Sequence, residues 1–183
     1  INIGGAFIDF FDQAAGAVRA HAAYLLASRV YDTGKYGDAA KRFKAVADTY
    51  PSSPRAEAAL IMAIRCWLRS PLQADEFVWV DSPLPQAGAA REARAALDVV
   101  DKRYPKARFR FDAAGWRARC DYVEGKIPAA IAGYLAQGAL AKDDEQRINN
   151  LSSIRVAMQK LTGAAASELG AMLRKDPSLV PAY

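Results

Sequence analysis

The chain has 183 residues, a formal net charge of +5, two cysteines and one histidine, and 52% of its residues are hydrophobic. That length suits one domain with a sizeable core or a short array of helical hairpins, and a mean hydropathy of only -0.09 reflects an apolar content rich in alanine, which suits closely packed helices. No run approaches the roughly 20 apolar residues of a membrane span, no Lys/Arg arm marks nucleic acid, and the cysteines and histidine make neither a disulfide framework nor a metal-ligand spacing.

The chain opens at Ile1 with neither a methionine nor a signal-peptide pattern, so it reads as a mature or excised segment. From Phe7 to Val30 apolar residues recur at three- and four-residue steps, with Ala14, Val18, Ala22, Leu25 and Leu26 among them. This predicts a long amphipathic helix from about Ala6 to Asp32. Gly34 stops it, because glycine takes positive φ without steric cost. A second helix starts near Gly37-Asp38, carries Ala39, Phe43, Val46 and Ala47 on one face, and closes at Pro51. Phe43 is expected in the core.

A third helix runs from Ser53-Pro54 to about Arg69, with Ala56, Ala59, Leu60, Ala63, Ile64 and Trp67 as its stripe, and Ser70-Pro71 breaks it. Residues 72 to 88 read as an insertion, because they hold Pro83, Pro85, the acidic cluster Asp75, Glu76 and Asp81, and the patch Phe77 to Val80. Helices are predicted next over Ala89 to Arg103, Arg108 to Glu124, and Ile127 to Ala141, where Pro128 is tolerated in the first turn. Asp143 and Asp144 open a seventh helix with the stripe Ile148, Leu151, Ile154, Met158 and Leu161. An eighth spans about Ala164 to Lys175.

The chain repeats itself. Pro51 to Cys66 and Pro105 to Cys120 are both separations of 15 residues, in blocks 54 residues apart. Gly34 with Ala39 and Phe43 matches Gly125 with Ala130 and Tyr134 in spacing, and the two glycines lie 91 residues apart, or two periods of 37 and an insertion of 17. The last hairpin continues the register with Ala165, Leu169 and Pro177. A period of about 34 to 37 in helix-turn-helix units is that of tetratricopeptide repeats.

At Leu26-Ala27, Gly34, Tyr36, Ala39, Phe43 and Pro51 the chain resembles that family, with departures at Val30, where the first-helix aromatic shifts to Tyr31, and at Pro71. The resemblance implies an all-α fold: a right-handed α-solenoid of about four hairpins, 1 to 183, with the insertion in the second. The Tyr-Pro-x-Ser-Pro-x-Ala form at Tyr50 to Ala56 is similar to the subgroup in bacterial envelope proteins, such as the β-barrel assembly lipoprotein and the Tol-Pal-associated periplasmic repeat protein. It implies a periplasmic or envelope location.

In stacked repeats the first helices line a concave face. The register places His21, Tyr24, Ser28, Tyr31 and Asp32 there from the first unit, Arg65, Leu68 and Arg69 from the second, and Asp112, Arg119 and Tyr122 from the third. Tyr24, Tyr31, Arg65, Arg69, Arg119 and Tyr122 are the candidate partner-binding residues. Arginine forks bind carboxylates and tyrosines supply stiff contact area, so the expected partner is an extended, acidic protein segment. The same residues also read as an ordinary solvated helix face.

No phosphate loop, Cys-x-x-Cys, His-Glu-x-x-His or serine elbow is present, and His21 has no acidic partner at helical spacing. A general base needs an orienting partner, so the expectation is a non-catalytic protein without cofactor or metal. Cys66 and Cys120 are expected as small buried hydrophobes. The alternative is a helical module that packs against the remainder of a larger envelope enzyme or assembly. An uncapped terminal hairpin would also allow a homo-oligomer.

Overall fold

The computed structural model describes residues 3–68, 87–104, 109–175 and 177, the side chains of 3–13 and 87 excepted. Among the described residues the regular elements are all helical: α1 (Ile3–Asp32), α2 (Tyr36–Thr49), α3 (Ala56–Leu68), α4 (Ala87–Arg103), α5 (Arg110–Val123), α6 (Ile127–Gly138), α7 (Asp144–Met158) and α8 (Gly163–Lys175). Arg69 and the predicted insertion lie outside the described residues, apart from Ala87 and Gly88 at the start of α4. No helix among those described is long and apolar enough to cross a membrane.

The two turn glycines behave as their spacing predicts. Gly34 has φ 74° and Gly125 has φ 77°, the left-handed conformation that terminates a helix cheaply only at glycine. After α5 the Lys126 N–H donates to the Asp121 carbonyl at 2.8 Å and the Gly125 N–H to that of Tyr122 at 3.1 Å, so the last turn's carbonyls are satisfied. Each reversal lays the next helix back on its predecessor: α2 packs on α1 and α6 on α5. Ala39 and Ala130 allow the close approach, while Phe43 and Tyr134 fill the space beyond, and all four are buried.

Successive helices pack on one another from α1 to α7, and α1, α3 and α5 also touch. One core cluster is built from α1 to α4 with Trp116 and Cys120 of α5. A second gathers Ala118, Tyr122, Tyr134, Ile154 and Leu169. Helix α5 therefore serves both. Its contact with α4 is reinforced reciprocally: Arg94 of α4 reaches Asp121 at 2.9 Å and Glu124 at 3.3 Å, while Arg117 of α5 reaches Asp98 at 2.9 Å and Asp101 at 2.6 Å.

Three sequence expectations need correction. The stripe of α1 that was expected to face the body is turned away from it: Val18 is 70% exposed, Leu25 50% and Leu26 59%, whereas Ala20 and Ala27 are fully buried. The reason is steric, since the alanine face with Tyr24 and Tyr31 admits α2 closely. On α7 the buried residues are Asn150, Ile154 and Ala157, while Ile148, Leu151 and Met158 are exposed. Asn150 fixes that rotation by donating its Nδ2 to the Tyr134 carbonyl at 2.7 Å and to Gln137 Oε1 at 3.0 Å. Finally, α8 packs on α6 rather than folding back along α7, with Leu169 as its buried anchor.

Both cysteines are buried and free. Desolvation pushes the Cys66 thiol up to about 12 and the Cys120 thiol up to about 11, so neither forms appreciable thiolate near neutrality. Native protein is expected to leave both unmodified by an aromatic disulfide reagent at pH 8, and denatured protein to titrate two thiols. Rapid labelling of the native form would contradict the burial.

Candidate functional site

The α1–α3–α5 face is where the described structure gathers sequence-predicted residues. Tyr24 is half-buried on α1, its ring tilted against Phe43 with centroids 5.1 Å apart. That contact holds the ring on the core, and the residue keeps part of its surface exposed. Arg55, in the turn before α3, lies over the same ring at 5.4 Å and donates its Nε to His21 Nδ1 at 3.0 Å. The guanidinium is thus aimed by two neighbours on α1, with further donors left over by its five-donor inventory.

Arg65, on α3, lies within electrostatic reach of both Tyr24 and Asp112. Burial raises the Tyr24 hydroxyl, an effect opposed by Arg55 and then Arg65. Desolvation likewise raises the Asp112 carboxyl, and Arg65 opposes that too. His21, Tyr24, Arg55, Arg65 and Asp112 therefore form one neighbourhood drawn from α1, α3, α5 and the turn before α3, with two guanidinium groups against one carboxyl. A carboxylate approaching it meets charge-assisted donors beside a tyrosine ring.

The other predicted residues are placed differently. Tyr31 sits edge-on to Tyr36 at 5.2 Å, at the α1–α2 turn. Arg119 points its Nε at the Leu68 carbonyl, 3.0 Å away, and is hydrogen-bonded to the Tyr134 hydroxyl. Burial lowers its pKa and raises that of Tyr134 to about 12. Arg119 thus ties the end of α3 to α5 and α6. Tyr122 is only 8% exposed and belongs to the second core cluster.

Arg55 is the residue that sequence reasoning missed. It lies outside every helix, so no periodicity selects it, and its partners His21 and Tyr24 are more than 30 positions away. A shallow cavity of about 320 Å³ opens on the α2–α4 side, lined by Lys41, Lys44, Ala45, Asp48, Trp67 and Glu92. Its charged rim is partly self-neutralised, since Lys44 and Asp48 pair with each other. Among the described residues no group of three or more His, Cys, Asp or Glu is placed to hold a metal ion.

No protein-family model, curated protein or solved structure matches the chain.

Proposed function

We propose that this chain is a non-catalytic protein-interaction scaffold, a tetratricopeptide-like α-solenoid of three hairpins, α1–α2, α3–α4 and α5–α6, followed by α7 and α8, that holds an acidic segment of a partner on its α1–α3–α5 face. The single observation that carries this reading is the convergence of Arg55 and Arg65 on Tyr24, with His21 beside them. The repeat spacing and the positive φ at Gly34 and Gly125 support the architecture. By its resemblance to envelope repeat proteins, its place is a bacterial periplasm. Extended segments suit such a face because the helices offer side chains rather than an edge strand.

Titration with fluorescent Asp/Glu-rich peptides, against Lys-rich peptides of equal length, tests the reading. Acidic peptides are expected to bind with an affinity that falls as salt rises. Arg55→Glu should weaken them about tenfold, the equivalent of about 1.4 kcal/mol, while Arg147→Glu, on α7, should leave them unchanged. Equal binding of both peptide types, or insensitivity to Arg55→Glu, refutes the proposal.

One observation favours the second reading, a module packed against the rest of a larger assembly. Helix α7 presents Ile148, Leu151 and Met158 to solvent at helical spacing. In a longer parent protein that stripe would be covered, and α7 amides would exchange more slowly than in the isolated chain.

A further inference from the structure

His21 is the chain's one histidine, and the α1–α3–α5 face holds it against a cation. Arg55 donates its Nε to His21 Nδ1 at 3.0 Å. A guanidinium has only donors and keeps its charge, so this bond requires Nδ1 to be bare, and the ring is then the neutral form with its proton on Nε2. Both side chains are exposed. The bond is therefore open to an arriving ligand and to protons from solvent.

Protonation reverses the contact. An imidazolium donates from both nitrogens, so its Nδ1–H meets the Arg55 Nε–H donor to donor, with two positive charges side by side. A carboxylate between them resolves the conflict, because its two oxygens accept from both groups and its charge is opposite to each. Against the neutral ring the same carboxylate faces a bare nitrogen lone pair and an Arg55 Nε already in use. Ligand and proton favour one another at this position.

We infer that His21 makes capture of the acidic segment proton-linked: a carboxylate of the segment binds with uptake of a proton by His21, and acidification tightens binding. This linkage rests on the acidic-peptide reading of the face and adds its regulation. Histidine is the side chain whose charge ordinarily changes between pH 5 and 8. The segment's Asp and Glu, with ordinary pKa values of about 3.9 and about 4.3, stay largely ionised down to about pH 5.5. Affinity that rises toward acid runs opposite to what protonation of the ligand would cause.

The other ionisable groups of the neighbourhood behave differently. Arg55 and Arg65 stay charged throughout this range. Burial raises the Tyr24 hydroxyl against the pull of Arg55 and Arg65, and it pushes the Cys66 thiol on α3 up to about 12, so both remain neutral. Asp112 on α5 is the competitor, since desolvation raises its carboxyl and loss of that negative charge would also favour an anion.

Calorimetric titration of an Asp/Glu-rich peptide into the chain at pH 8 and at pH 5.5 tests the linkage. Affinity should rise about fivefold on acidification, the effect of one added charge about 4 Å from a carboxylate in water. At about pH 6.5, the middle of histidine's ordinary range, comparison of buffers with different ionisation enthalpies should show uptake of part of a proton. The single histidine C2–H resonance should move toward its protonated position when peptide is added there. His21→Gln keeps an acceptor for Arg55 but takes no charge, so it should retain the parent's helicity, bind as the parent does at pH 8 and lose the rise toward acid, whereas Asp112→Asn should keep the rise. Equal binding at both pH values, a rise that survives His21→Gln, or a rise lost in Asp112→Asn overturns the proton linkage and leaves the acidic-peptide reading standing. Absence of acidic-peptide binding at either pH overturns both.

Discussion

Phe43→Ala is expected to lower the unfolding free energy by about 3–5 kcal/mol, the range for truncating a fully buried phenylalanine. Phe43 has no exposed surface. Its ring lies in the first core cluster, where α2 meets α1, with Tyr24 tilted onto it. Ala39, Ala40 and Ala47 of the same helix are buried in that cluster with it, and alanine side chains cannot swing in to fill the space, so little of the cavity should close. A domain's total stability is about 5–15 kcal/mol, so the loss takes about a fifth of it or more. The midpoint of urea unfolding followed by circular dichroism measures it, and a loss below about 1 kcal/mol would contradict the packing. The same substitution should loosen Tyr24 and weaken acidic-peptide binding, because that ring rests on Phe43.

Arg119→Glu is the second large effect, expected at about 3–5 kcal/mol, as for breaking a buried charge arrangement. The guanidinium gives its Nε to the Leu68 carbonyl at 3.0 Å and is hydrogen-bonded to Tyr134. A carboxylate there would face a carbonyl oxygen with no donor and remain short of water. Arg119→Met removes the charge that burial already penalises, keeps the stem's packing and should cost distinctly less. That ordering of the two variants is the check. Equal, small losses for both would mean that the tie between α3 and α5 carries no stability.

What the sequence makes legible is the part governed by local rules. Gly34 and Gly125 could be placed because a positive φ nearly specifies glycine, and Ala39, Phe43, Ala130 and Tyr134 because their spacing from those turns is shared. Which side of α1 and α7 is covered was not legible. Each helix carries apolar residues around much of its circumference, and the choice falls to the neighbour: small residues under α2 for α1, and the Asn150 hydrogen bonds to α6 for α7. The site divides the same way. Tyr24 and Arg65 follow from the register of first helices, whereas Arg55 is a turn residue brought in by the α2–α3 connection. The direction taken by Arg119 depends on a carbonyl at the end of α3, which no spacing in the chain announces.

Backbone hydrogen exchange of the chain with and without a saturating acidic peptide tests the central claim most directly. Slowed exchange confined to the outer turns of α1 and α3 around Tyr24 and Arg65, to the turn at Arg55 and to the start of α5 at Asp112 is the predicted result. Protection centred on α2 and α4, or no protection at all under saturation, would contradict it.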